Sequence, residues 1–361
     1  MIMENKVKRV LQIGMSTTYG GTENYLMHTY RNIDRNKVQF DFINAFEDKL
    51  ACDEEIRALG GNIYPLSLKR RDGLKKYKQN IIKFYKEYKF DAVQLNTQSI
   101  ENLDMLKYAK KAGIKKRILY AHNSGFGIKV HLITKILHRI NKLFVKSYAT
   151  DYYAVGETAV KWIYPFWLRN KVKIIPNSID EKKFAFNENY RNEIREKYNI
   201  GDGIVYGNIG RMDYQKNQLF LIKVFAKILE NEPNSVLIIV GDGLLKEKLL
   251  SLSIKLNITK NIIFAGYQKE TWKFYSAFDV FLYPAKFEGF GIVLLEAQSN
   301  GLNVVTSYNI PDSVVQTDLI QKLPLKRRVW IKKIKNCFFN RNIPCTKTIK
   351  YRTINLNEIY E

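Results

Sequence analysis

The feature that most constrains this chain is a rhythm that runs through it twice. Short apolar, β-branched runs alternate with amphipathic helical stretches, which is the pattern of parallel strands joined by helical crossovers. In the first series KRVLQIG, VQFDFINA, NIYPLSL, FDAVQLN, KKRILYAHNS and DYYAVG read as strands. Between them GGTENYLMHTYRNI, CDEEIRALGG, residues 73–88, IENLDMLKYAKKAG and residues 129–149 read as helices. KVKIIPNSID then ends a strand in a turn at Pro176 and Asn177. The rhythm restarts with IVYGNIG, SVLIIVGDG, NIIFAGY, DVFLYPA and NVVTSYNIP as strands around the helices NQLFLIKVFAKILENEP, LLKEKLLSLSIKLN and TWKFYSAF. Two such series in 361 residues predict an α/β protein of two doubly wound, Rossmann-like domains with a seam near residues 180–200.

In sheets of this kind ligands bind beyond the carboxyl ends of the strands. Polar and glycine residues gather at those places: Gly20 and Gly21, His122 and Asn123, Asn177, Gly210 and Arg211, Gly241 to Gly243, and Glu288. Two domains with facing strand ends would enclose an interdomain cleft.

Charge narrows the partners. The chain carries 59 Lys and Arg against 35 Asp and Glu, a formal net charge of +24. The excess is uneven: 32 basic and 16 acidic residues over 1–177, 16 and 17 over 178–320, and 11 and 2 over 321–361. A basic N-terminal half suits an anionic membrane surface, and the spread of Lys and Arg through ordinary amphipathic helices argues against nucleic acid. Cys52, Cys337 and Cys345 have no paired spacing for zinc or a disulfide framework, which fits a reducing, cytoplasmic setting. The short apolar run before Gly14 reads as a first strand rather than a signal peptide, and no segment has the length of a membrane span, so any membrane association is expected to be peripheral, at the inner face of the cell membrane.

The chemistry sits in a few loops. In GNIGRMDYQKN, Arg211 and Lys216 stand five apart at a strand end before a helix, a place suited to a diphosphate, although two basic residues in a loop of a basic protein can also carry no function at all. VGDGLLKEKL offers Gly241 in a glycine-rich turn, but neither a GxGxxG nor a P-loop is present. Gly20 and Gly21 in YGGTENYL read equally as a ligand-approach loop or a plain turn. His122 is the one histidine at the expected cleft; His28, His131 and His138 fall in helical patterns and read as structural. In KFEGFGIVLLEA the amides of Phe290, Gly291 and Ile292 lie at the start of a helix, with Glu288 before it and Glu296 about two turns along it. Two such carboxylates suit vicinal hydroxyls. No Asp-x-Asp pair offers to hold a metal beside a phosphate.

Taken together, GRMDYQK at 210–216 and EGFGIVLLE at 288–296 resemble the Gly-Arg-x4-Lys and Glu-x7-Glu signatures of family 4 retaining glycosyltransferases of the GT-B fold, in which two Rossmann-like domains face each other across a cleft. PNSID resembles that family's Pro-Asn-Gly-Ile-Asp, and GGTE and AHNS are similar to N-domain segments of bacterial exopolysaccharide and capsule transferases. The resemblance covers residues 7 to about 320. It implies an acceptor-binding domain over 1–180, a nucleotide-sugar-binding domain over 181–320 and an atypical basic tail over 321–361. It implies catalytic roles for Glu288, His122, Arg211 and Lys216, and donor contacts from Gly20, Gly21, Asn177, Gly210, Gly241, Phe290, Gly291, Ile292 and Glu296. Arg211 and Lys216 would hold the diphosphate, Glu288 the donor sugar, Glu296 the ribose, and Gly21 would approach the diphosphate. The donor would be a UDP-linked hexose, transferred with retention and without a metal or other cofactor to a glycan or polyprenyl-linked acceptor. Ser178 stands where the family has glycine, and Tyr120 where relatives often carry a second histidine, with an expected effect on sugar or acceptor contacts. The tail, nearly without acid, motivates a second reading: a catalytically inactive nucleotide-binding or assembly protein whose last segment fails to pack.

Overall fold

A computed structural model of the chain describes residues 6–67, 73–126, 130–335 and 359–360. The contact pattern divides it into two compact units: residues 1–126, 130–178 and 352–361, and residues 127–129 and 179–351.

Unit 1 carries β1 (Lys8–Ile13), α1 (Gly21–Asn32), β2 (Val38–Asn44), α2 (Asp53–Ala58), β3 (Ile63–Pro65), α3 (Leu74–Tyr88), β4 (Ala92–Thr97), α4 (Asp104–Lys111), β5 (Lys116–Ala121), α5 (Leu132–Tyr148), β6 (Asp151–Ala154), α6 (Glu157–Ile163), a 3-10 turn at Phe166–Lys171 and the two-residue β7 (Lys173–Ile174). Its strands pair in parallel in the order β3-β2-β1-β4-β5-β6-β7. The strand order reverses between β1 and β4. The central strands are buried on both faces over most of their length, β1 and β5 from their third residue and β4 over its first five, with Gln12, Gln94 and Asn96 among the buried residues.

Unit 2 carries α7 (Glu181–Phe184), α8 (Glu188–Lys197), β8 (Val205–Ile209), α9 (Gln218–Leu229), β9 (Val236–Val240), α10 (Lys246–Lys255), β10 (Ile262–Gly266), α11 (Thr271–Ala277), β11 (Val280–Tyr283), α12 (Ile292–Ser299), β12 (Asn303–Ser307), β13 (Ile320–Leu323) and α13 (Arg327–Lys335). The order is β10-β9-β8-β11-β12-β13, again all parallel, with the reversal between β8 and β11. Asp180 and Asn187 begin α7 and α8 by accepting the Lys183 and Tyr190 amide protons, the usual service of a short polar side chain to an unpaired first turn.

The tail differs from expectation. Residues after 320 contribute β13 and α13 to unit 2, where Trp330 and Ile334 are fully buried in the core built around α9, Trp330 edge-on to Phe220. Trp330 and Ile334 are four apart and share one helix face, a pattern that the surrounding Lys and Arg obscure. In unit 1, Tyr360 is buried, meets Phe40 at 5.0 Å and donates a 3.0 Å hydrogen bond to Gln94 Oε1. Cys52 is buried and unpaired; Cys337, Cys345 and the rest of 336–358 lie outside the described residues. Among the described residues no helix is long and apolar enough to cross a membrane.

Candidate active site

In unit 2 the loops that follow β8 and β11 meet at the strand-order reversal. Several polar contacts tie them to each other: Lys286 N donates to Gln215 O at 2.8 Å and Asn217 Nδ2 to Pro284 O at 3.1 Å. Gln218 Nε2 holds Arg211 O at 2.9 Å, so the backbone at Arg211 is pinned by the first residue of α9. The β9 loop closes on the same place. Gly241 has φ +130°, and a Cβ there would lie 2.3 Å from Gly210 O, so only glycine lets these two strand ends approach.

Lys216 and Glu288 meet at the centre. Lys216 Nζ lies 2.5 Å from Glu288 Oε1 and 2.6 Å from Tyr283 Oη, and Tyr283 donates to the same Oε1 at 2.8 Å. Both charged side chains are largely buried, which makes the pairing obligatory: a lone charge there would be costly. Burial and the Glu288 charge push the Tyr283 phenol well above its ordinary pKa, so it stays protonated and donates. Arg211 is 57% exposed, its guanidinium 3.6 Å from buried Asp213, and so presents a cation at the surface of the same loop.

Glu296 is placed differently from the sequence expectation. Gly291 takes a left-handed conformation, φ +91°, and α12 begins only at Ile292, so Glu288 and Phe290 lie before the helix and Glu296 stands one turn into it, not two. Glu296 is buried and accepts a 2.6 Å bond from Tyr275 Oη. Desolvation pushes its pKa up from 4.5 to about 7, against the lowering effects of the Tyr275 hydroxyl and of Lys183. No side chain caps α12, so its first-turn amides, Ile292 among them, carry the positive end of the helix toward the loop.

The reversal in unit 1 is built of neutral groups. Asn96 Nδ2 donates to Gln12 Oε1 at 3.0 Å and Ile13 O at 3.2 Å, and Asn96 Oδ1 receives Gln94 Nε2 at 2.8 Å. His122 Nε2 lies 3.0 Å from that same oxygen, which assigns the ring proton to Nε2 and leaves Nδ1 as the acceptor. Desolvation pushes the His122 pKa down to about 3, so the ring is neutral near pH 7. Tyr25 and Tyr120 pack on it, at 5.1 and 4.4 Å. The Tyr120 hydroxyl is turned inward onto Ile175 O at 2.5 Å and braces β5 to the turn after β7, not in keeping with a sugar-contacting residue.

Gly20 is the residue before α1 and Gly21 its first, with open space beside the Gly21 Cα. Sequence reasoning missed their partner: Glu23 is buried and turns back to accept the Ser16 amide at 2.8 Å and hydroxyl at 2.9 Å, fixing the loop. Asn177 is buried, and its Oδ1 has no hydrogen-bond partner among the described residues. Tyr275 and Tyr283 were also missed, since each lies in a segment whose apolar pattern hides a polar tip. His138 is structural, as expected, accepting the Ile100 amide at Nδ1 and stacked on Trp162 at 4.2 Å. Among the described residues no group of three His, Cys, Asp or Glu side chains converges as a metal site requires.

Residues 190–317, the stretch holding Arg211, Lys216, Glu288 and Glu296, match the family described as Glycosyl transferases group 1. The putative glycosyltransferase EpsF of Bacillus subtilis is 30% identical over 92% of this chain and 88% of its own length. The Escherichia coli UDP-Gal:alpha-D-GlcNAc-diphosphoundecaprenol alpha-1,3-galactosyltransferase is 28% identical over 71% of this chain and 67% of its own. In fold, the chain is similar to Anabaena Alr3699/HepE, solved in complex with UDP and glucose, with a TM-score of 0.74, 16% identity and coverage of 91% and 89%.

Proposed function

The chain belongs to the glycosyl transferases group 1 family and has the GT-B fold, and from that premise we propose that it is a family 4, retaining enzyme that moves a hexose from a UDP-sugar to a glycan or polyprenyl-linked acceptor in exopolysaccharide or capsule synthesis. The observation that carries the reading is the convergence of Arg211, Lys216 and Glu288 on one strand-order reversal in unit 2, with Glu296 one turn into the adjoining helix.

In this reading the bond between the anomeric carbon and the β-phosphate oxygen breaks while the acceptor hydroxyl oxygen bonds to the same carbon from the same face. The acceptor proton leaves with the departing phosphate. Negative charge grows on the diphosphate, and Arg211 and Lys216 oppose it from fixed positions, the kind of preorganised electrostatics that usually dominates such steps. Gly210, Gly241 and the α12 amides give the diphosphate close backbone approach. Lys216 then divides its attraction between Glu288 and the phosphate, leaving Glu288 with Tyr283 to accept sugar hydroxyls. Glu296, once ionised, accepts from the ribose. Unit 1 supplies the acceptor side, with Gly21 and His122 at its strand ends; its neutral imidazole offers a hydrogen bond at Nδ1, not a second cation. The uncapped Gly21 end and the orphaned Asn177 oxygen support a polar ligand there.

The reading of an inactive assembly protein drew on the tail, and the burial of Trp330, Ile334 and Tyr360 removes much of that motive. Incubation with UDP-sugars, reading UDP release, tests the proposal: release that falls in Arg211→Ala and Glu288→Ala supports it, and equal release by wild type and both variants sinks it.

A further inference from the structure

Helix α5 has three faces where an ordinary surface helix has two. Its buried side is narrow, His138 and Val145 alone among its seventeen residues. At roughly 100° per residue, with Leu132 as zero, these two lie near 220–240°. Leu132, Ile133, Ile136, Ile140, Leu143 and Phe144 fall on an arc of roughly 0–120°, turned away from the unit, and all are exposed, Leu132 by 72% and Leu143 by 60%. Lys135, Arg139, Lys142 and Lys146 occupy a third arc, roughly 280–340°, and the helix has no acidic residue.

The turn at Phe166–Lys171 extends the pattern. Phe166 is 75% exposed and Trp167 46%, and the two rings lie edge to face at 5.1 Å. This turn stands beside α5: Lys142 Nζ donates to Lys161 O, and so does Arg169 Nη2. Burial, then the Arg169 charge, pushes the Lys142 ammonium below its ordinary pKa.

We infer that the outward face of α5, with Phe166 and Trp167, is an interfacial membrane-docking surface that seats its apolar arc among the acyl chains of an anionic bilayer and its cationic arc among the phosphate headgroups. The arrangement is that of a helix lying in the plane of a membrane, apolar on one side and rich in Lys and Arg beside it, with aromatic residues at the boundary. So large an exposed apolar patch on a water-soluble surface calls for an occupant. Charge selects it. A second copy of the same face would bring four cations against four with no acid on the helix to compensate, whereas anionic headgroups complement them. The inference deepens the reading of a lipid-linked acceptor by naming the surface that brings the enzyme to it.

The test is flotation of the full chain with phosphatidylglycerol-containing vesicles and with phosphatidylcholine alone. Wild type is expected to float with the former and poorly with the latter. Combined Ile136→Ser, Ile140→Ser and Leu143→Ser should lower partitioning at least about tenfold. Combined Lys135→Gln, Arg139→Gln and Lys146→Gln should erase the preference for anionic lipid. Because these side chains are exposed and lie outside the donor site, unfolding midpoints and UDP release in lipid-free buffer should be unchanged. Flotation of the serine variant equal to wild type would overturn the inference, as would a wild type that ignores vesicles but sediments as a dimer dispersed by the serine changes. Vesicle binding without UDP release from any donor would instead defeat the proposed transfer and leave this surface standing.

Discussion

In unit 1 the strands β1 and β4 part around an uncharged network, Asn96 held between Gln12, Gln94 and His122; in unit 2 β8 and β11 part around an ion pair, Lys216 on Glu288, with Arg211 beside it. The strand orders correspond, and in each unit a glycine lets neighbouring strand ends approach, at the reversal between β1 and β4 in unit 1 and one strand over, between β8 and β9, in unit 2. Gly14 in unit 1 would place a Cβ 2.1 Å from Asn96 O, and Gly241 in unit 2 would place one 2.3 Å from Gly210 O. Topology therefore sets where each unit offers polar groups at its strand ends, while the side chains set their character: an ion pair in unit 2, neutral hydrogen-bonding groups in unit 1.

The largest expected effect breaks the charged side of this contrast. Lys216→Ala should cut UDP release by about 10²–10³-fold, the scale of losing one preorganised group at a developing charge. It should also cost about 3 kcal/mol in denaturant unfolding by leaving Glu288 buried without its partner. His122→Ala should cost only about tenfold in release, the worth of one neutral hydrogen bond. Equal losses in the two variants would erase the distinction.

Next in size, the glycines test the shared backbone. Gly14→Ala and Gly241→Ala should each destabilise by about 2–3 kcal/mol, since both combine a positive φ with a carbonyl in the way. Denaturant midpoints that fall in only one of the two would show that close approach of strand ends matters in that unit alone.

The pH dependence sharpens the contrast, because the two units respond in opposite directions. Glu296 is raised from 4.5 to about 7, so between those values the folded state holds a proton that the unfolded state has lost; its contribution is present below 4.5 and lost as pH rises toward 7. His122 is lowered from 6.5 to about 3, so its contribution is present above 6.5 and lost as pH falls toward 3. Thermal midpoints against pH should flatten on the neutral side of that range in Glu296→Gln and on the acid side in His122→Asn. UDP affinity should also rise with pH through about 7, up to about tenfold per unit below it, and Glu296→Gln should abolish that slope.

The smallest effect concerns the chain end. Tyr360→Phe removes the hydrogen bond to Gln94 Oε1 and should cost about 1 kcal/mol in unit 1 unfolding, with UDP release unchanged. A larger loss of release would show that the tail governs more than packing.

Much of this was legible before any coordinates. The alternation marked nearly every strand, and the Gly-Arg-x4-Lys and Glu-x7-Glu spacings include Lys216 and Glu288, which meet beyond β8 and β11. Two errors have physical reasons. Helical continuity was read through Gly291, whose left-handed backbone instead delays the start of α12 and moves Glu296 a turn closer to its end. The packing of the tail was in doubt because the segment has almost no acid and no clear period, yet Trp330 and Ile334 seat α13 in the core of unit 2. Tyr275 and Tyr283 gave no sign, since a polar atom at the tip of an apolar segment has no period of its own, and Glu23 stood in the GGTE segment with nothing to show that it turns back onto Ser16.

What the sequence by itself determined is the architecture, two parallel sheets each with polar groups at its strand ends, because hydrophobic burial repeats along the chain with the period of the element that buries it. Only the tertiary structure decided that Lys216 answers Glu288 72 residues away, that the His122 ring is neutral, and that six apolar residues of α5 are exposed. Pairing, desolvation and coverage depend on distance through space, and distance through space is what a linear pattern does not contain.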